Sequence, residues 1–312
     1  MRIVVTGALG HIGSRLIRAL PGFFADAEIV MIDNMKTQRY ASLFDLPAEG
    51  HCQFIEDDVT SMDLESALSG ADAVVHLAAL TDAAASFEHA DEVEQVNFVA
   101  TKRVAEACLQ VGVPMIHASS TSVYGTQNDV VDESCGEEDL NPQSPYAETK
   151  LREEALISEL CMSDGLHALT FRFGTIFGTS PGMRFHTAVN KFCWQAVMGE
   201  PLTIWSTAYD QKRPYLDLAD AVRAIVFMVE NKLFDGSIYN VVTTNATVRE
   251  VVEHIRRHIP NLHVDFVDSQ IMNQLSYEVL NTRMVNAGFQ TQGDIGSGIS
   301  NTIKLLSGVK AR

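Results

Sequence analysis

The sequence predicts an α/β protein: a doubly wound parallel sheet first, then a smaller mixed α/β C-terminal domain. Three observations carry that expectation. Six short apolar runs alternate with segments of helical periodicity up to about residue 172. The first run leads directly into glycines at positions 7, 10 and 13. Beyond residue 172 the alternation gives way to longer loops and mixed elements. Repeated strand–helix units build a parallel sheet with helices on both faces.

The elements follow in order. RIVVT (2–6) is a buried strand, followed by a helix near 11–20. EIVMID (28–33) and CQFIED (52–57) are the next strands, with a helix near 62–68. AVVHLAA (73–79) precedes a helix over 90–112, and PMIHAS (114–119) one over 143–163. HALTFRF (167–173) closes the regular part. Farther on, Thr247 and Glu250 have capping-box spacing and mark a helix start.

Composition narrows the function. The 312 residues include 40 acidic and 23 basic side chains, a net charge of −17. Such a field repels nucleic acid and anionic membranes, so neither is an expected partner. No apolar run approaches the ~20 residues of a membrane span. The five cysteines are scattered without a C-x-x-C pair, as in a reducing cytosol. The chain begins on a strand pattern, which predicts no signal peptide and a cytoplasmic protein. His254 and His258 share a helix face, but no third ligand stands near them, so no metal is expected.

The glycines in TGALGHIG follow the first strand and open a helix. Gly7, Gly10 and Gly13 suit a sharp turn and a close approach to a diphosphate, which the helix N-terminus attracts. Asp33 ends the second strand 20 residues after Gly13. A carboxylate there binds both adenosine ribose hydroxyls and repels a 2′-phosphate, so the expected cofactor is NAD. The first part is therefore a Rossmann-like fold.

SPYAETKL places Tyr146 and Lys150 at i, i+4 on one helix face. A phenol near its ordinary pKa of ~10 is a poor base at neutral pH, and a nearby ammonium and the positive nicotinamide ring both favour phenolate. Just after the fifth strand, HASSTSVYG (117–125) crowds hydroxyls together with no carboxylate among them.

With these motifs the chain resembles, almost end to end, the extended short-chain dehydrogenase/reductases of the NAD-dependent nucleotide-sugar epimerase/dehydratase group, including the UDP-glucose/galactose 4-epimerases. The matching stretches are TGALGHIG, Asp58-Val59, HLAA (76–79), Asn97, SSTSVYG, YAETK, Arg172 with FG (177–178), and RPYLDLAD (213–220). The resemblance implies that His11, Ile12, Asn34, Asn97 and Phe173 join the glycines and Asp33 around the cofactor. It places Asp58 and Val59 on the adenine, and Leu77, Ala78 and Ala79 on the ribose and diphosphate side. Lys150 would hold the nicotinamide ribose, Tyr146 would be the general base, and Ser120 would bond the reacting sugar oxygen. On the substrate side it points to Thr121, Thr175, Arg184, Ala188, Val189, Thr203, Trp205, Arg213 and Tyr215, with Thr187 capping the helix that starts near Ala188. It also implies a homodimer through the helices near 98–112 and 147–163.

The hydroxyl-rich strand end then acquires a meaning. Related dehydratases and decarboxylating members carry acids between the catalytic Ser/Thr and VYG; here Thr121 and Ser122 stand there. Hydroxyls of very high pKa do not replace a carboxylic acid in an elimination. Two departures qualify the substrate side. Thr175 replaces an asparagine common in epimerases, and Leu275 stands where a second phosphate-binding arginine is expected. Either Arg184 supplies that contact or the substrate is not a nucleotide sugar.

The reading is an NAD-dependent nucleotide-sugar epimerase acting through a transient keto-sugar, with residues 1–171 holding NAD, 206–234 packing back on them, and 172–312 holding substrate. The alternatives are an NAD-dependent dehydrogenase or ketoreductase and, from another class, a non-catalytic NAD-binding regulator. The intact Ser120, Tyr146 and Lys150 count against the regulator.

Overall fold

The computed structural model describes residues 1–83, 85–125, 129–268 and 276–309. Its first half runs β1 (Arg2–Thr6), α1 (His11–Phe23), β2 (Glu28–Asp33), β3 (His51–Glu56), α2 (Leu64–Leu68) and β4 (Ala73–His76). Next come α3 (Ala90–Val93), α4 (Val99–Val111), β5 (Met115–Ser120), the short β6 (Val130–Val131), α5 (Pro145–Ser163) and β7 (Ala168–Phe173). The remainder comprises β8 (Thr175–Phe177), α6 (Ala188–Met198), β9 (Leu202–Trp205), β10 (Lys212–Asp217), α7 (Leu218–Glu230) and β11 (Ile238–Val241). It ends with β12 (Thr244–Thr247), α8 (Val248–His258), β13 (Val264–Val267), β14 (Glu278–Val279), α9 (Thr282–Asn286) and α10 (Ile295–Leu306).

The main sheet has seven strands in the order β11-β7-β5-β4-β1-β2-β3, each neighbouring pair parallel. The six expected strands are all in it, and β11 is a seventh that the changed rhythm after residue 172 hid. Strand order reverses between β1 and β4, the point where such sheets open a crevice. Alternation in β1 shows why both faces are covered. Ile3 and Val5 join a core with α1 and α7, whereas Val4 joins one with α2, α4 and α5. A third core gathers α6, α8 and α10 around the three-stranded sheet β12-β10-β8.

The expected 90–112 helix is interrupted. Glu94–Phe98 forms a π-type turn between α3 and α4, and Asn97 lies within it. The wider turn accompanies a cross-link: Asn97 Oδ1 accepts from Leu80 N at 2.7 Å and its Nδ2 donates to Leu80 O at 2.9 Å. The capping box at Thr247 and Glu250 is formed as expected.

Candidate active site

A cleft of about 390 Å³ opens at the C-terminal ends of β1, β2, β4 and β5. The glycine turn forms its floor. Gly7 has φ +64°, and a Cβ there would lie 2.6 Å from Ala78 N. A Cβ on Gly13 would lie 2.5 Å from Gly7 O, so this glycine is what lets α1 press against the turn. Gly10 precedes α1 and provides no side-chain cap. The first-turn N–H groups therefore face the cleft without intrahelical acceptors, as a diphosphate requires.

His11 and Ile12 also line this floor. The His11 ring, however, bonds Gly178 O at 2.8 Å and braces α1 against the loop after β8. Burial lowers its pKa to about 4, with Arg39, Arg184 and His186 adding to the effect against the opposing Gly178 bond. Asp33 is fixed by its own turn: Oδ2 accepts from Leu9 N at 3.1 Å and Oδ1 from Met35 N at 3.0 Å. Both oxygens keep acceptor capacity for ribose hydroxyls.

Asp58 holds the far rim. Burial opposes its ionisation, but Thr60, Asn34 and Lys36 outweigh that and lower its pKa to about 2. Asn34 donates to it at 2.9 Å, and Lys36 Nζ lies 3.5 Å away. Val59, Leu77, Ala78, Ala79 and Phe173 complete an apolar lining. Asn97 does not line the cleft; it is buried beneath and positions Leu80.

The opposite wall carries Ser120, Tyr146 and Lys150. Local sequence explains their placement. Ser144 caps α5 by accepting from Ala147 N at 3.2 Å, and Pro145 opens the helix. Tyr146 and Lys150 then project one turn apart beside the end of β5. Ser120 is close enough to the Tyr146 phenol to favour its ionisation. In the protein alone that phenol does not fall toward neutrality. Burial raises its pKa and Glu153 adds to the rise, against Lys150 and Ser120.

Glu153, absent from the sequence-based site, is the charged group that adds to the rise caused by burial. Its Oε2 accepts from Lys150 Nζ at 2.9 Å, His117 Nε2 at 2.8 Å and Thr101 Oγ1 at 2.9 Å. The Thr101 hydroxyl is in turn 3.2 Å from His76 Nε2, and His76 Nδ1 is 2.7 Å from Thr6 Oγ1. The hydroxyl of Thr6 meets Ala78 N at 3.4 Å. Donor roles are then consistent in one direction, from Ala78 N–H through Thr6, His76 and Thr101 to Glu153. His76 is held uncharged at this depth, burial lowering its pKa to about 3 with help from His117 and Lys150. The next residue, Glu154, is matched separately: Arg172 grips both its oxygens at 2.6–3.1 Å and Ser119 donates at 2.5 Å. Arg172, one of the matched motif residues, thus ties β7 to α5 and does not line the cleft.

The strand end separates its two middle hydroxyls. Thr121 is buried and donates to Phe173 O at 3.3 Å, so it does not meet the cleft. Ser122 does, and its Oγ has no partner among the described residues. The short 3-10 turn Thr121–Val123 rotates Thr121 inward and Ser122 outward. Carboxylates lining the cleft are Asp33, Asp57, Asp58 and Glu92, and none is on this strand end.

On the substrate side Thr175, Arg184 and Thr187 reach the cleft. Arg184 donates to Thr81 Oγ1 at 3.3 Å, and its buried Nε has no partner among the described residues. Sequence reasoning missed Arg39, His186 and Ser122, which line it too. Arg39 follows Asp33 by six residues, and its buried Nε likewise has no partner among the described residues. Thr187 precedes α6 but does not cap it; its hydroxyl donates to Ile176 O at 3.2 Å.

The cleft stops short of Ala188, Val189, Thr203, Trp205, Arg213 and Tyr215. Val189 and Tyr215 are core side chains of the smaller unit. Thr203 accepts from Gln195 at 3.2 Å. Trp205 is 42% exposed and is not part of this lining. Arg213 donates to Gln211 Oε1 at 2.5 Å. Leu275 lies outside the described residues. Among those residues no group of three His, Cys, Asp or Glu side chains is placed to hold a metal, and no helix is long and apolar enough to cross a membrane.

Comparison with known proteins finds the same architecture. The profile of the NAD dependent epimerase/dehydratase family matches residues 3–241. An uncharacterized UDP-glucose epimerase of Bacillus subtilis is 31% identical over 77% of this chain and 76% of its own length. A trifunctional UDP-glucose 4,6-dehydratase/3,5-epimerase/reductase of Arabidopsis thaliana is 29% identical over 96% of this chain, which spans only 46% of that protein. The structure of UDP-glucuronic acid 4-epimerase from Bacillus cereus, with UDP-glucuronic acid and NAD, superposes with TM-score 0.86 at 25% identity, covering 99% of both chains.

Proposed function

The chain belongs to the NAD-dependent epimerase/dehydratase family, and from that premise we propose that it is an NAD-dependent nucleotide-sugar epimerase. One observation carries the choice of epimerase over dehydratase. The strand end that faces the reacting group presents Ser120 and Ser122 hydroxyls and no carboxylic acid.

The residues present fit NAD: the glycine floor leaves room that a Cβ would fill, and Asp33 keeps acceptors for two ribose hydroxyls. When bound, NAD supplies a hydride acceptor and donor. Ser120 orients the sugar oxygen, and Tyr146 takes its proton and later returns it. Lys150 holds the nicotinamide ribose. The keto-sugar so formed turns over and is reduced on its other face, which needs no further acid. Arg184, which lines the cleft, would pair with the diphosphate.

Residues 1–171 form the dinucleotide half in this proposal and 172–312 the sugar-nucleotide half, with 206–234 packing back on the first. The protein is further proposed to be a cytoplasmic homodimer joined through the helices near 98–112 and 147–163. A monomer at micromolar concentration in sedimentation would contradict that assembly. The functional test is incubation with a panel of nucleotide sugars while isomers and NADH absorbance are followed. Isomer formation without NADH accumulation is expected. Net NADH release would instead establish the dehydrogenase alternative.

A further inference from the structure

We propose that Glu153 is a positioning residue for the proton transfer: it anchors the Lys150 ammonium and offsets much of the field that ammonium exerts on the Tyr146 phenol. The proposal rests on the reading of Tyr146 as the proton-transfer group. Its consequence is that the phenol responds to the charge of the bound cofactor more than to Lys150.

The geometry is unusual for a merely structural ion pair. Glu153 is fully buried, and all three of its donors converge on Oε2. Its Oε1 is equally buried and has no partner among the described residues. Glu154 beside it shows what a structural carboxylate looks like here, both oxygens being engaged by Arg172. A buried carboxylate left half-satisfied costs stability. What Glu153 contributes is charge beside Lys150. Low dielectric strengthens that effect, and the aligned donor chain from Ala78 through Thr6, His76 and Thr101 polarises toward the same oxygen.

The groups around the pair come from every packed element. Helix α5 supplies Tyr146, Lys150, Glu153 and the Arg172-matched Glu154. Strand β5 supplies His117 and Ser120, β4 supplies His76, and α4 supplies Thr101. Glu153 is the carboxylate in direct contact with Lys150. Burial opposes its ionisation, yet Lys150 and His117 hold its pKa down at about 2, and the same contact raises Lys150 against burial. The pair is therefore ionised and nearly self-cancelling. The phenol stands above its ordinary range in the protein alone chiefly because it is buried, and Glu153 adds to that rise against Lys150.

The test reads tyrosinate absorbance against pH in the full-length protein, with and without NAD, subtracting Tyr146→Phe to isolate this residue. Glu153→Gln should lower the Tyr146 midpoint by about one pH unit, and by as much without cofactor as with it. Glu153→Asp should return it toward the wild-type value. An unchanged midpoint in a folded Glu153→Gln protein overturns the proposal. If that variant does not fold, His117→Leu serves. It removes a donor from Oε2, leaves more of the carboxylate's charge on Lys150, and should raise the midpoint; no change or a fall overturns the proposal. Sugar turnover is not used, so the two readings fail separately. A shifted midpoint without any epimer formed would reject the epimerase and leave the role of Glu153 standing.

Discussion

At its cofactor end the cleft is shaped by main chain: a positive-φ glycine, a second glycine pressed on the turn, and helix amides with no side-chain cap. At its substrate end it is shaped by side chains from separate segments, Thr175 from β8 and Arg184, His186 and Thr187 from the approach to α6. Main-chain geometry tolerates few sequences, so the first end is written in a short motif. Side chains reach a ligand from many backbones, so the second end is assembled by packing over long sequence separations. A family can therefore keep one cofactor while its substrates vary.

Substitutions sharpen the contrast. Tyr146→Phe, where the two ends meet, should lower turnover by ~10²–10⁴-fold with NAD still bound. Steady-state assays alongside calorimetry of NAD binding check both halves of that statement. Gly7→Ala should weaken NAD on the order of a hundredfold, because it adds left-handed strain and an overlap with the Ala78 amide. Little change in calorimetry would show that the floor is not built as described.

Arg184→Ala should weaken a nucleoside diphosphate sugar by roughly tenfold or more, the worth of a charged hydrogen bond, and leave NAD affinity near its starting value. Asp33→Ala should shrink a preference for NAD over NADP, expected at about tenfold or more, toward parity. Trp205→Ala, exposed and outside the cleft, should change substrate affinity by less than about threefold. A large loss there would mean that substrate binding recruits a surface beyond the present lining.

What was legible in the sequence follows the same division. The strands, the glycine turn, Asp33 and the Tyr146–Lys150 pair depend on spacing within one strand–turn–helix or one helix. Val189, Thr203 and Tyr215 took their roles from resemblance, but the packing of α6, α8 and β10 turns them into core or away from the cleft. Thr121 and Ser122 exchanged places because a single 3-10 turn breaks the strand's alternation. Glu153 was visible at i+3 from Lys150. Its meeting with His117, Thr101 and the chain from Thr6 depends on α5, α4, β4 and β5 packing together, which no local pattern records. β11 escaped for the same reason, since it joins the sheet only after a second unit has intervened.

The most direct test of the central claim is the mass of the product formed from a nucleotide sugar in deuterated water. Hydride leaves the sugar carbon and returns to it, and Tyr146 moves a proton only at oxygen, so exchangeable sites aside the epimer should keep the substrate's mass. Solvent deuterium on carbon, or a product lighter by one water, would contradict it.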